Sequence, residues 1–208
     1  AIKPDFHDAL NSKGYALNEL GRYEEAIPAL DAALAIKPDF HDALNSKGYA
    51  LNGLGRYEEA IPAFDAALAI KPDFHYALTN KGIALGSLGR HKEAFTAFDA
   101  ALAIKPDFHY ALNGKGYALN GLGRYEEAIP ALDAALAIKP DFHYALNGKG
   151  IALAALGRYE EAIAAYDDAL SIKSDFHEAL YNKASCYSLQ GKVELALENL
   201  SQAIQLNP

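Results

Sequence analysis

The feature that most constrains this chain is a 34-residue period that runs through its whole length. The hexapeptide Ile-Lys-Pro-Asp-Phe-His recurs at this interval and becomes Ile-Lys-Ser-Asp-Phe-His in its last appearance. A fixed period of this length predicts stacked supersecondary units, each covering the hydrophobic face of its neighbour. We therefore expect one array over residues 1–208, with the tail of a truncated preceding repeat at 1–6 and six repeats at 7–40, 41–74, 75–108, 109–142, 143–176 and 177–208.

Composition excludes several classes of partner. The formal net charge of −8 at pH 7 argues against binding to nucleic acid or to an anionic membrane surface. No apolar run approaches the roughly 20 residues that span a bilayer, so we expect no membrane partner. The one cysteine, Cys186, excludes an internal disulfide framework and fits a reducing compartment, which favours a cytoplasmic location.

Each repeat contains two helical patterns and no strand pattern. In the first repeat, apolar residues spaced by three and four run from about Phe6 to Leu20. Gly21 follows, and it can adopt the positive φ that ends many helices. The second pattern begins near Tyr23 and ends at Lys37-Pro38, because proline cannot continue a helix. The predicted unit is therefore helix, short turn, helix, short turn.

Small residues recur at one position in each predicted helix. Residues with little or no side chain let helix axes approach closely, so these pairs are expected to mark the crossing of the two helices. The pairs are Gly14 with Ala26, Gly48 with Ala60, Gly82 with Ala94, Gly116 with Ala128, Gly150 with Ala162 and, in the last repeat, Ala184 with Ala196.

The period and the small-residue positions together resemble the tetratricopeptide repeat. That family's pattern is Trp-x2-Leu-Gly-x2-Tyr, then Ala-x3-Phe, a further Ala and a closing Pro. The matching residues in the second repeat are Leu44, Lys47, Gly48, Leu51, Ala60, Phe64, Ala67 and Pro72. Leucine replaces the tryptophan and the first tyrosine, and Lys47 stands where an apolar residue is usual. The resemblance implies an all-α fold, a right-handed superhelical solenoid of antiparallel helix pairs.

Nothing in the repeats forms the singular constellation that is typical of a catalytic site. One histidine begins each repeat, but equivalent atoms of neighbouring repeats should lie on the order of 10 Å apart, whereas zinc needs its ligands within about 2.1 Å. We therefore interpret them as helix-start residues and expect no catalytic residue, no metal and no cofactor. The histidines are His7, His41, His75, His109, His143 and His177.

The resemblance implies a peptide groove lined by the first helix of each repeat. Asparagine amides can bond a peptide backbone, and tyrosine offers contact area with a polar tip. Carried over by register, the groove positions are Asp8, Asn11, Tyr15, Asn18, Asp42, Asn45, Tyr49, Asn52, Tyr76, Tyr110, Asn113, Tyr117, Asn120, Tyr144 and Asn147, with Thr79, Ile83, Gly86, Ile151 and Ala154 at the equivalent places.

Three functions remain open at this point. The first is a non-catalytic scaffold that binds a protein or peptide partner in the groove. The second is an idealised or consensus-like array without a dedicated ligand, and the third is an accessory array cut from a larger enzyme. We also expect head-to-tail self-association, because the two predicted ends are halves of an interface that recurs inside the chain. The residues assigned to it are Phe6, Leu10, Leu17, Leu197, Leu200 and Ile204.

Overall fold

The computed structural model describes residues 6–206. Residues 1–5 of the predicted N-terminal tail and residues 207–208 of the last repeat lie outside the described residues. Over the described range the chain is all-helical and contains no strand. The helices are α1 (Phe6–Glu19), α2 (Tyr23–Ile36), α3 (His41–Gly53), α4 (Tyr57–Ile70), α5 (His75–Ser87), α6 (His91–Ile104), α7 (His109–Gly121), α8 (Tyr125–Ile138), α9 (His143–Ala155), α10 (Tyr159–Ile172), α11 (His177–Leu189) and α12 (Val193–Leu206).

The described residues divide into two compact units, 6–106 and 107–206. The first unit holds α1–α6 and the second holds α7–α12. Within each unit, every helix packs against the next one along the chain, and the first helices of neighbouring repeats also touch. Each unit is therefore a set of consecutive helix pairs, as the period predicts.

The turn inside each helix pair confirms the predicted role of Gly21. Its φ of 70° lies in the left-handed region, which glycine adopts at no steric cost. The amide of Gly21 donates to the carbonyl of Asn18 at 3.0 Å, and the amide of Arg22 donates to that of Leu17 at 2.9 Å. These two bonds satisfy carbonyls that the end of α1 would otherwise leave without a partner.

The first-helix glycines allow close approach, but they accommodate a different residue from the predicted alanine. A Cβ built on Gly14 would lie 2.5 Å from Cγ of Leu30, and one on Gly116 would lie 2.5 Å from Cγ of Leu132. Leu30 and Leu132 are fully buried, as is Ala26. Each of these glycines thus makes room for a large side chain on the second helix, one turn beyond the alanine.

Neighbouring repeats are joined by small residues that fill the space over the preceding second helix. Ala43 and Ala50 of α3 are fully buried in one cluster with Leu30 and Ala33 of α2. The lysine that departs from the family pattern adds a charged contact across the same joint. Lys47 pairs with Asp31 at 2.6 Å, and Lys149 pairs with Asp133 at 2.7 Å. The lysines therefore link repeats at the edge of the core.

Candidate functional site

Three of the predicted groove asparagines bond to the main chain of the following repeat. The Nδ2 atoms of Asn18, Asn52 and Asn120 donate to the carbonyl oxygens of Ser46, Asn80 and Gly148 at 2.8, 3.0 and 2.8 Å. Asn18 is 3% exposed and Asn120 is 9% exposed. These amides join the first helices of neighbouring repeats and do not present a donor on an open surface.

The asparagines two turns earlier, and their equivalent Asn147, form a second row of contacts. Asn45 Oδ1 accepts a hydrogen bond from Asn80 Nδ2 at 3.1 Å, and Asn147 Oδ1 accepts one from Asn182 Nδ2 at 3.0 Å. Asn147 is 4% exposed. The predicted groove residues Asn11 and Asn113 are half-buried, and the Oδ1 of each is buried without a hydrogen-bond partner.

Tyrosines near the starts of the first helices form an exposed aromatic surface. In the second unit, Tyr110 and Tyr144 are 48% and 44% exposed. The ring of Tyr144 lies 4.2 Å from that of His143 and 5.4 Å, edge to face, from that of Phe176. These contacts hold a flat, amphipathic side chain at the surface, which is the kind of group that anchors peptides.

In the first unit the same position is acidic in two repeats and aromatic in the third. The carboxylates of Asp8 and Asp42 lie 3.4 Å from the rings of His7 and His41, and both aspartates keep half or more of their side chains exposed. Tyr76 is 50% exposed. Of the other residues carried over by register, Thr79 is buried and donates its hydroxyl to the carbonyl of His75 at 2.9 Å, so it turns away from the surface.

Tyr117 differs from the two other tyrosines at its position. Tyr15 and Tyr49 are exposed, whereas Tyr117 is half-buried. Its hydroxyl donates to the carbonyl of Tyr144 at 2.9 Å and accepts from Nδ2 of Asn147 at 3.1 Å. Burial raises the pKa of the Tyr117 phenol to about 12, so the hydroxyl remains a donor at neutral pH.

A cleft of about 790 Å³ in the second unit brings several of these side chains together. Tyr117, Tyr144 and Asn147, which the sequence assigns to the groove, line it together with Ile151. The sequence assignment stopped at the fifth repeat and therefore missed the residues from α11. These are His177, Glu178, Tyr181 and Asn182, and the 34-residue register places Glu178 and Tyr181 at groove positions.

The residues assigned to the two ends are placed unevenly. Leu197 and Ile204 are 61% and 57% exposed on α12, and Phe6 is 50% exposed on α1. Leu200 is half-buried and lines the cleft together with Ile204. Leu17 is 8% exposed and Leu10 packs beside it, so both lie in the core of the first helix pair and not at an exposed end.

The histidines at the starts of the first, second, fourth and fifth repeats pack against a phenylalanine at the end of the same repeat. The ring of His41 meets that of Phe74 edge to face at 5.3 Å, and His109 meets Phe142 at the same distance. Among residues 6–206, no group of three or more potential ligands is placed to hold a metal ion. The described helices also include none that is long and apolar enough to cross a membrane.

Family models for the tetratricopeptide repeat match residues 3–39, 12–73, 46–108, 79–141, 113–176 and 177–208. The chain belongs to the tetratricopeptide repeat (TPR) family. A comparison with curated protein sequences gives no match. Since the matches run in register from the first repeat to the last, every helix pair described above is a TPR unit.

Solved structures similar to this TPR chain agree on the fold. The Cut9–Hcn1 hetero-tetramer of the APC/C matches with a TM-score of 0.90 and 19% identity, covering 100% of this chain and 41% of that chain. A TPR protein from Parabacteroides merdae matches with a TM-score of 0.77 and 21% identity, covering 98% of this chain and 81% of that chain. YrrB, described as a TPR protein with an unusual peptide-binding site, matches with a TM-score of 0.62 and 23% identity, covering 86% of this chain and 93% of that chain.

Proposed function

We propose that this TPR chain is a non-catalytic interaction scaffold that binds an extended peptide along its first helices. The observation that carries the proposal is the set of exposed tyrosines on three successive first helices of the second unit, Tyr110, Tyr144 and Tyr181, of which Tyr144 and Tyr181 line the cleft. Tyrosine gives large contact area at low cost in conformational entropy, as in many binding surfaces. The peptide-binding site ascribed to YrrB supports the same use of the fold.

The charges beside these tyrosines indicate the chemistry of the peptide. Glu178 lies in the cleft wall of the second unit, and Asp8 and Asp42 stand at the equivalent position in the first unit. A basic residue of the peptide would therefore be favoured near each carboxylate. Beside Glu178, the apolar walls formed by Ile151, Phe176 and Ile204 suit a bulky apolar or aromatic side chain.

The buried amides have a supporting role in this proposal. Asn147 bonds to Tyr117 and Asn182, and Asn120 bonds to the carbonyl of Gly148. They fix the spacing of the first helices and hence the spacing of the tyrosines that contact the peptide. Direct contact with the peptide is assigned to the exposed residues. The asparagines that the sequence assigns to the groove instead hold its walls in place.

The test begins with peptides selected on the wild-type chain from a random 12-residue library. Replacing Tyr110 and Tyr144 together by alanine should weaken the selected peptides at least tenfold, because each replacement removes a side chain that is half-exposed in the groove. Ile138→Ala is the matched control, since Ile138 is 45% exposed on a second helix outside the cleft. Equal affinity of the double variant and wild type would refute the groove. Failure to select any peptide would favour the array without a dedicated ligand.

A second candidate function, head-to-tail assembly of copies of this chain, is supported by the internal joints. Inside the first unit, Ala43 and Ala50 cover Leu30 and Ala33. On α1 the equivalent alanines, Ala9 and Ala16, are exposed, and on α12 the equivalents of the covered residues are Leu200 and Ala203. The first helix of a second copy would thus complete on α12 the contact that α3 makes on α2.

Sedimentation from micromolar to millimolar concentration tests the assembly. Wild type should associate increasingly, and Ile204→Glu should stay monomeric because it places a charge in the contact. Ile138→Glu is the control, since it adds the same charge on an exposed isoleucine elsewhere. A wild type that remains monomeric at millimolar concentration would exclude this function. Because Leu200 and Ile204 line the cleft, a selected peptide that occupies this part should also reduce association.

A further inference from the structure

Tyr15, Tyr49 and Tyr117 occupy the same position in three repeats, yet their rings are placed differently. Tyr15 is 56% exposed and Tyr49 is 39% exposed, whereas Tyr117 turns inward and bonds to Tyr144 and Asn147 of the next repeat. The residues on either side are nearly the same, since Lys-Gly precedes and Ala-Leu-Asn follows each tyrosine. The cause must therefore lie in what faces each ring.

The residue that faces the ring of Tyr117 belongs to the following repeat, and the residue at its register position differs in the three cases. Ser46 and Asn80 stand at this position after Tyr15 and Tyr49, and Gly148 stands there after Tyr117. A Cβ built on Gly148 would lie 2.9 Å from Cε2 and 3.3 Å from Cζ of Tyr117. Real Cβ atoms essentially never come as close as 2.9 Å, so the ring of Tyr117 occupies space that a side chain at 148 would need. Cδ2 of Leu132 would also lie 3.0 Å away, but Leu132 is fully buried, so the half-buried Tyr117 is the side chain that can move toward solvent.

We infer that residue 148 is a specificity-determining position that decides whether the tyrosine of the preceding repeat lies between the repeats or on the groove surface. With glycine, Tyr117 forms part of the cleft wall and leaves the cleft of about 790 Å³ open. With a side chain at 148, the ring swings out, as in Tyr15, and fills part of that space. Gly148 therefore selects a peptide with a bulky residue opposite Tyr117, an inference that rests on the proposed peptide function.

The polar contacts around the ring fit this account. In the second unit, Asn147 Oδ1 is held by Asn182, and its Nδ2 donates to the inward Tyr117 hydroxyl. In the first unit, Asn45 Oδ1 is held in the same way by Asn80, so the receiving asparagine is already in place. Ser46, which is 7% exposed, carries at this place the Cβ that Gly148 lacks. The chain therefore shows both arrangements of this tyrosine, inward at Tyr117 and outward at Tyr15.

A reciprocal exchange, with crystal structures of both variants, tests the conformational part without any ligand. Gly148→Ser should move Tyr117 to the surface, and Ser46→Gly should draw Tyr15 inward to Asn45. Titration of ring-labelled tyrosine by NMR gives a second readout. The pKa of Tyr117, raised to about 12 in the wild type by burial, should fall toward its ordinary value of about 10 in Gly148→Ser. Gly148→Ala, the smallest change, serves if the serine variant does not fold.

Peptides selected on the wild type then test the specificity part. Gly148→Ser should lower the affinity of those with a bulky residue in the cleft at least tenfold, and Ser46→Gly, in the first unit, should leave it unchanged. An inward Tyr117 in Gly148→Ser would overturn the inference, and so would an outward ring with unchanged peptide affinity. If no peptide can be selected, the proposed function fails. The two variant structures still show whether a side chain at residue 148 moves the ring of Tyr117 to the surface.

Discussion

The side-chain amide of Asn120 donates a 2.8 Å hydrogen bond to the main-chain carbonyl of Gly148 in the next repeat. Because the acceptor is main chain, the bond does not depend on the side chain of the following repeat. Asn18 makes it to Ser46 and Asn52 makes it to Asn80. One residue type at one register position therefore joins first helices whose facing side chains differ.

Replacing Asn120 by alanine should lower the free energy of unfolding by about 1 kcal/mol, the usual net value of a buried hydrogen bond. Asn113→Ala is the matched control on the same helix. The Oδ1 atoms of Asn113 and Asn120 are both buried without a partner, so each replacement removes an unsatisfied acceptor and gains helix propensity, and the difference between the two variants isolates the Nδ2 bond of Asn120. Urea unfolding of both variants measures the difference. Equal loss in the two variants would show that the Asn120 bond contributes nothing specific.

Replacing Lys149 by methionine should change the free energy of unfolding by less than about 0.5 kcal/mol. Lys149 pairs with Asp133 at 2.7 Å, but 31% and 48% of their side chains are exposed, and solvent screens such a pair. Methionine keeps the aliphatic contact of the lysine stem, and the family pattern has an apolar residue here. A double-mutant cycle with Asp133→Asn, at low salt and at about 1 M salt, gives the coupling free energy between Lys149 and Asp133. A coupling above about 1 kcal/mol would mean that the ion pair stabilises the joint.

The helices could be predicted closely because their signals are local. The first predicted helix ran from Phe6 to Leu20 and α1 spans Phe6–Glu19, since Gly21 ends it through its own backbone freedom. The direction of the groove side chains could not be predicted in the same way. Asn120 turns toward a carbonyl that belongs to another repeat, and the position of Tyr117 depends on the absence of a Cβ at Gly148.

Register alone thus identifies which residues are equivalent, but not whether they serve a ligand or the neighbouring repeat. Leu17 illustrates the same limit of local pattern, because an apolar residue on α1 could face a preceding repeat or its own partner helix. Its 8% exposure shows that it faces its own pair. Tyr181 could have been found from sequence, since the same register extends into the sixth repeat.

Replacing Gly150 by alanine should lower the free energy of unfolding by about 1–3 kcal/mol, as expected for overpacking of a core. The added methyl would collide with the ring of Tyr166, which is 1% exposed and therefore held within the core. Gly86→Ala is the control within a helix of the same kind. Its added methyl would touch only Cβ of Ala94 at 3.9 Å, so it should raise stability by about 0.5–1 kcal/mol. A Gly150 variant as stable as wild type would place the helix crossing elsewhere.

Replacing Pro62 by alanine should leave stability unchanged or raise it. Pro62 is the sixth residue of α4, beyond the first turn, so it cannot donate the helical bond that an alanine amide would make. Ala164 stands at the same position of α10, which has the same length as α4. Chemical denaturation decides the sign. A loss of more than about 1 kcal/mol would show that the rigidity of proline in the unfolded chain outweighs the missing bond.

Stability should fall as the pH drops from about 7.5 to 5.5, because of histidines at the starts of first helices. Burial lowers the pKa of His75, His109 and His143, and nearby lysines lower it further. The unfolded chain, with an ordinary histidine pKa of about 6.5, therefore binds protons at a pH where the folded histidines are still neutral. The stabilisation is complete above the pKa of histidine in the unfolded chain. It is lost as the pH falls toward the lower pKa values of the histidines in the folded chain. His143→Gln and His109→Gln should each reduce the dependence of the melting temperature on pH across this range. The range lies above the titration of most carboxylates. A variant pair whose melting temperature depends on pH as strongly as wild type would place the proton uptake on other groups.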